Sequence, residues 1–270
     1  MFQVTILACY GAAAWLLARV RLAEERSPGS VSPAPGLLVG AAGLLLHSAD
    51  LVSEFGTSGG SELSIAGVAS VVGWLVALTA LLAALKPRFR GLAAVLLPLA
   101  GILALAPLGQ ALTAPANTTR PDWELRAHIL MSVTAYSLLS LGAVIAVLVA
   151  LQDRALRARK TAGWTRILPP LETMENVLFL TIHVGFLVLT LALFSGLFFV
   201  DDLFAQHLAH KAILSIIAWG VFGILLLGRW QFGWRGRKAV RWVITGYMVL
   251  LLAYFGSRLI LELVLGRQWG

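Results

Sequence analysis

Cysteine and charge are both scarce in this sequence. Cys9 is the only cysteine among 270 residues, which excludes a disulfide framework and any C-x-x-C pair that passes electrons to another protein. Charged residues make up only 13% of the chain, against roughly 25% in an ordinary soluble domain. Water is therefore not the main solvent of this protein.

The familiar catalytic signatures are also missing. The sequence has no H-E-x-x-H zinc motif, no Walker loop, no nucleophile elbow and no dinucleotide fingerprint. Each of these motifs places particular side chains or backbone N–H groups against a substrate, so their absence argues against ordinary hydrolase or kinase chemistry.

Apolar residues are what the chain has in abundance. They make up 59% of it and fall in runs of about 17 to 25 residues, each long enough to cross roughly 30 Å of hydrocarbon as a helix. We therefore predict an all-α integral membrane bundle of eight spans, forming a single membrane domain over residues 1–270. The runs lie at 3–20, 36–52, 65–85, 92–112, 127–151, 177–199, 211–228 and 241–265.

The basic residues indicate how the spans are oriented. Although the net charge is +8, these residues lie between apolar runs rather than on one amphipathic face, so we predict a lipid bilayer and no nucleic acid as partner. The positive-inside rule places the basic loops in the cytoplasm and both termini outside, with the first run a retained helix. The basic loops are Arg19–Arg26, Lys86–Arg90, Arg154–Arg166 and Arg229–Arg241.

Proline and small residues suggest local detail within the spans. Pro98 and Pro107 fall inside the fourth run, where they predict a kink or an irregular stretch. Gly185, Ser195 and Gly196 in the sixth run suit close contact between helices.

Histidines are the main candidates for chemistry, because a neutral imidazole is a good ligand for iron and other metals. By span position, His47, His128 and His210 lie at the outer level of the bundle. They are either ligands or hydrogen-bonded packing residues. His183 lies about two turns from the cytoplasmic end of its span, so it is either a second site or a core histidine.

Two arginines lie near the same outer level. Arg126 and Arg258 are suited to holding carboxylates such as haem propionates. Alternatively, Arg258 pairs with Glu262 four residues later, and Arg126 extends to lipid head groups.

A metal ion is a second reading of the outer level. His47 and Asp50 are one helical turn apart, so together they suit a small hard or borderline cation in place of haem. Equally, Asp50 is a partner that orients the imidazole.

Motifs in the second half of the chain resemble those of the cytochrome c assembly membrane proteins over residues 120–260. The branch most similar to it is the eight-span YpjD-like or HemX-like one. The resemblance implies that the protein moves or presents haem at the outer face, with His128 as the best-matched axial ligand and His47 a looser match. The matching segments are LRAHILMSVTAYSLLSLG from Leu125, GFLVLTLALFSGLFF from Gly185, HKAILSIIAW from His210, GWRGRKA from Gly233 and AYFGSR from Ala253.

The chain departs from the synthase members of that family in three places. Their tryptophan-rich loop corresponds here to FVDDLFAQHLAHK, which contains no tryptophan. Gly228 precedes Arg229 where they carry a histidine, and LGRQWG at the C-terminus lacks their late external histidine. We therefore expect a protein that is not itself a haem lyase and is non-enzymatic.

Three functions remain open from sequence. The leading hypothesis is a haem-binding or haem-handling protein in cytochrome c-type biogenesis, in a bacterial plasma membrane, with His128 and either His47 or His210 as ligands and with apocytochrome c or other assembly proteins as partners. The second is an accessory or transport protein for divalent cations that uses His47, Asp50 and the outer histidines. The third is a structural or regulatory membrane subunit in which the histidines only pack.

Overall fold

The computed structural model describes residues 2–24, 26–27, 31–57, 65–109, 123–159, 164–199 and 206–263. Within these ranges, the side chains of 54–57, 65, 109, 164, 199, 206–210 and 255–263 lie outside the description. All regular structure in the described part of the chain is helical. The prediction of an all-α fold is confirmed.

Each predicted apolar run corresponds to a long helix, and one short helix lies in a connecting segment. Two 3-10 turns, Pro87–Phe89 and Ala106–Gly109, flank α4. The helices are α1 Phe2–Glu24, α2 Ala34–Thr57, α3 Ile65–Ala84, α4 Arg90–Ala104, α5 Trp123–Arg157, α6 Trp164–Ile167, α7 Leu171–Phe199, α8 Gln206–Phe232 and α9 Gly236–Leu263.

Seven of these helices, α1 to α5, α7 and α8, are long and apolar enough to cross a membrane, counted over the described residues alone. The protein is therefore a transmembrane protein. The last run, predicted at 241–265, lies in the 28-residue helix α9. That α9 is an eighth span, like the placement of the termini, remains a prediction.

The fourth run differs from a single helix. The α-helix passes through Pro98 but ends at Ala104, and Pro107 lies in the 3-10 turn that follows. Proline lacks the N–H that would continue the helical ladder, and it disfavours α geometry at the residue before it. The irregular stretch predicted for this run is thus found at Pro107, while residues 110–112 lie outside the described part.

The chain divides into two compact units. Unit 1 comprises Met1–Asp122 and Ala155–Pro170, and unit 2 comprises Trp123–Arg154 and Leu171–Gly270. Unit 1 therefore contains α1 to α4 and α6, while unit 2 contains most of α5 together with α7, α8 and α9.

In unit 1, α1 packs against both α2 and α4. Its buried residues recur every three or four positions along one face, which is the spacing of a helix stripe in contact with neighbours. Because lipid tails are as apolar as leucine, this stripe is stabilised mainly by close packing rather than by escape from water. The residues of the stripe are Ile6, Tyr10, Ala13, Leu17 and Val20.

In unit 2, small residues bring α5 and α7 together. A Cβ on Gly185 would lie 2.9 Å from the Leu139 side chain, and Gly142 faces Ile182 in the same way. The contact predicted for Gly185 is confirmed. A polar contact also crosses the unit, since the Ser140 hydroxyl donates to the Tyr247 oxygen at 3.0 Å.

Candidate functional site

His128 lies in the first turns of α5 and is partly buried against α7. Its Nδ1 lies 2.8 Å from the Oγ of Ser195, which is 8% exposed. Its Nε2 lies 3.5 Å from the Oγ of Ser132, one turn further along α5 and at the outer limit of a hydrogen bond. One ring nitrogen is thus firmly held, and the other only weakly.

The hydrogen-bond network assigns the proton on this ring. The Ser195 hydroxyl donates its only hydrogen to the carbonyl oxygen of Ala192 at 2.8 Å. Its oxygen can then only accept from His128, so Nδ1 carries the proton and donates it. In this neutral tautomer Nε2 holds the lone pair, which is the state an imidazole needs in order to bind a metal.

Gly196 makes room for the ring. A Cβ at this position would lie 3.0 Å from His128 Cε1, tighter than nine in ten real Cβ contacts. Ser195, the residue before Gly196 on α7, is hydrogen-bonded to the imidazole. The ring therefore cannot move aside without lengthening that hydrogen bond. Ser195 and Gly196 together therefore form a close-fitting cradle for His128.

His47 has a different environment, in unit 1. It is 0% exposed, and α1, α2 and α3 each contribute to the contact. Its Nδ1 lies 3.2 Å from the Tyr10 hydroxyl and its Nε2 lies 3.0 Å from the Ser70 hydroxyl, and both of these partners are themselves fully buried. A neutral imidazole has one donor and one acceptor, so two hydroxyls satisfy it completely. Both ring nitrogens of His47 are occupied.

The carboxylate of Asp50 is hydrogen-bonded to α1. Its carboxylate accepts from the Gln3 side-chain amide at 3.3 Å, while the imidazole of His47 is oriented by the hydroxyls of Tyr10 and Ser70. Across the described residues, no group of three or more His, Cys, Asp or Glu side chains is placed to hold a metal ion.

His183 is exposed on α7 and is not a core residue. Its Nδ1 donates to the carbonyl oxygen of Phe179 at 2.7 Å, within its own helix. Ser195, the partner of His128, lies twelve residues further along the same helix, a rise of about 18 Å. His183 and His128 therefore cannot ligate one metal ion.

The remaining candidates are described only in part. Arg126 is exposed and lies two residues before His128, so the two side chains leave α5 in nearly opposite directions. His210 lies in the first turns of α8 and Arg258 lies on α9. The side chains of His210 and Arg258 fall outside the described part of the structure.

Sequence reasoning missed the partners that define both histidine environments. Ser195 and Gly196 suggested only close helix contact, whereas they hold and accommodate His128. Tyr10 and Ser70 were not recognised at all. The sequence signal for them is a hydroxyl within a largely apolar helix, which at membrane depth requires a polar partner.

The residues of the His128 site fit a haem ligand set in two respects. The donor is a neutral imidazole nitrogen with a lone pair, and its other nitrogen is held by a hydrogen bond, as is usual for ligating histidines. The exposed side chains in the same turns of α7, Phe194, Leu197 and Phe198, are apolar.

Comparison with known proteins identifies the family. The Cytochrome C assembly protein family matches residues 63–265 of the chain. The match begins well before the motif-bearing segments of the second half and includes α3 and α4 as well as the four long helices of unit 2.

Individual relatives agree with this match. The inner membrane protein YpjD of Escherichia coli K12 is 35% identical over 209 residues, covering 76% of this chain and 77% of its own length. A 28.8 kDa protein of Azospirillum brasilense is 34% identical, over 57% of this chain and 58% of its own length. The cytochrome c biogenesis protein CcsA of a Synechococcus strain is 25% identical, over 52% and 54%.

No solved structure matches the chain. The assignment therefore depends on the sequence comparisons, which cover most of the chain, and on membrane-length helices of the expected kind. The chain belongs to the cytochrome c assembly protein family, and this membership supports a role in cytochrome c biogenesis.

Proposed function

We propose that this protein binds haem and handles it during cytochrome c-type biogenesis, with Nε2 of His128 as an axial ligand. The proposal includes eight spans with both termini outside a bacterial plasma membrane, with α9 as the eighth. Family membership supports the process, and the relative named as an inner membrane protein supports the location.

One observation carries the assignment of the ligand. Ser195 can only accept from His128, because its own hydrogen is committed to the Ala192 carbonyl. This holds the imidazole in the tautomer whose Nε2 bears a lone pair, and it also fixes the plane of the ring. Partners of this kind set the orientation and basicity of ligating histidines, and their loss weakens metal binding.

The residues around the ligand hold it rather than react. Ser195 fixes the proton on Nδ1, and Gly196 leaves space beside Cε1. Haem, when bound, would supply an iron centre to this nitrogen. We propose a holding and presenting role without catalysis, because the segment 199–211 lacks the tryptophans of the synthase members.

We propose that His210 would supply a second haem ligand, since it lies on α8, which packs against α7. His183 is too far along α7 from the cradle of His128. For His47 we propose a packing role, since it would offer a nitrogen only after losing a buried hydroxyl partner. The arginines Arg126 and Arg258 remain proposed partners of the haem carboxylates.

The test is a haemin titration of the full chain purified in mild detergent, followed by oxidised and reduced absorption spectra. Wild type is expected to give a near-stoichiometric low-spin spectrum that His128→Ala abolishes. His183→Ala is the matched control, because it also removes from unit 2 an imidazole whose Nδ1 is hydrogen-bonded. This variant should keep the wild-type spectrum. If His128→Ala and His183→Ala both retain the wild-type spectrum, the ligand assignment is wrong and a structural role is favoured.

A further inference from the structure

A second polar feature lies in unit 1, where α1 ends and α4 begins. A cavity of about 650 Å³ is lined there by three arginines, one carboxylate and several small or apolar residues. The charged lining residues are Arg21, Glu24, Arg88 and Arg90. The haem proposal uses none of these residues.

Arg90 is the least expected member of this group. Its side chain is only 10% exposed, and its Nη1 is bonded to the Glu24 carboxylate. Its Nε is buried and has no hydrogen-bond partner among the residues that the structure describes. A guanidinium has five N–H donors and no acceptor, and a buried donor left unpaired is unfavourable. Arg90 therefore retains donor capacity that Glu24 does not satisfy.

Cations outnumber carboxylates among the described residues that line the cavity. These residues include three guanidinium groups and one carboxylate. Arg88 lies in the 3-10 turn that leads into α4 and Arg90 is the first residue of α4, so both are at the positive end of the helix dipole, where cations are unfavourable. The residue capping α4, Phe89, supplies no side-chain acceptor. Each of these features would be relieved by an anion.

We propose that this cavity binds a phosphate group, either from the headgroup of an anionic phospholipid or as free inorganic phosphate. The planar fork of a guanidinium matches the oxygens of phosphate and can donate to two of them at once. The cavity lies at the ends of membrane-length helices, at the depth where lipid head groups occur. Val31, Pro33 and Pro87 give it an apolar wall suited to the adjoining part of a lipid.

The test uses the full chain in detergent, with native mass spectrometry to count bound lipid after addition of phosphatidylglycerol or phosphatidylcholine. Arg88 is exposed, so Arg88→Gln removes a lining charge without disturbing the core. Removing one such cation is expected to weaken phosphatidylglycerol binding about fivefold. Arg19→Gln is the matched control, because Arg19 is exposed on the last turns of α1 and does not line the cavity.

A second variant tests the role of the carboxylate. Glu24→Gln removes the negative charge that competes for Arg90, so it should tighten phosphatidylglycerol binding. The same variant loses a buried ion pair and should unfold more easily. Added phosphatidylglycerol should then raise its thermal stability more than it raises that of wild type.

Competition by inorganic phosphate separates the two sources. If inorganic phosphate displaces phosphatidylglycerol, and Arg88→Gln weakens the binding of both ligands, the site binds free phosphate. If phosphatidylglycerol binds and inorganic phosphate does not, the site is specific for the lipid. If Arg88→Gln and Arg19→Gln weaken binding equally, or if neither ligand is retained, the proposal is overturned. None of these outcomes depends on haem, so they are separate from the test of His128.

Discussion

Substitution of Ser195 by alanine should separate a positioned ligand from a histidine that only packs. The change removes the oxygen that lies 2.8 Å from His128 Nδ1 and leaves that N–H without its partner. The direct loss in stability should be about 1 kcal/mol, the usual net value of one hydrogen bond. The imidazole is then free to rotate and to take its other tautomer. We expect haemin affinity to fall about 10- to 100-fold, as for other residues that orient a metal ligand.

The assay compares haemin titrations of Ser195→Ala and Ser137→Ala. Ser137 is a matched control because it is also buried, and its hydroxyl donates to a backbone carbonyl, that of Val133, at 2.8 Å. Both variants lose one intrahelical bond, but only Ser195→Ala releases a histidine. Equal haemin affinities in the two variants would refute the claim that Ser195 positions the ligand.

Three further substitutions test the packing around the two histidines and between helices, each measured by unfolding in sodium dodecyl sulfate. Gly196→Ala should lower stability by about 1 kcal/mol because the added Cβ crowds the imidazole ring of His128. Gly220→Ala is the control and should be neutral or stabilising, because its Cβ would meet nothing within 4 Å. Equal changes in stability would contradict a close fit of Gly196 to His128. Tyr10→Phe should cost about 1–3 kcal/mol because it leaves buried His47 with an unpaired nitrogen. Unchanged haemin affinity in that variant would agree with a packing role, and weaker affinity would contradict it. Gly91→Ala should abolish stable folding, since its Cβ would overlap a backbone carbonyl; a wild-type unfolding curve would show the close approach to be wrong.

The architecture was predictable because it depends on properties that a sequence displays directly. A helix that crosses hydrocarbon must be apolar over its whole length, so hydropathy alone locates it. Every predicted run falls on a long helix, although the ends differ by up to eight residues. The irregular stretch at Pro107 was predictable for a similar reason, because the missing proline N–H changes the backbone only within one turn of the chain.

The partners of the histidines were not predictable in the same way. His47 meets Tyr10 across 37 residues and Ser70 across 23, and no local pattern encodes such pairings. The proximity of His47 and Asp50 along one helix suggests an interaction, yet each is hydrogen-bonded to a side chain on a different helix. Sequence spacing shows which residues share a helix face, but it does not show which neighbouring helix that face meets.

His128 lies between these two cases. The resemblance to the family singled it out, and the structure adds the reason that its Nε2 can act as a ligand. Ser195 was noticed in the sequence only as a small residue. Its hydroxyl hydrogen is committed within α7 to the carbonyl of Ala192, but the approach of His128 from α5 is visible only when the helices are placed together.

The central claim, that His128 is an axial ligand, is tested most directly by chemical rescue. His128→Gly removes the imidazole and leaves a space that free imidazole can enter. The absorption spectrum of the haemin-loaded variant should lose its low-spin features and regain them when imidazole is added, because the nitrogen ligand is restored without the side chain. A His128→Gly spectrum identical to that of wild type before any imidazole is added would contradict the account.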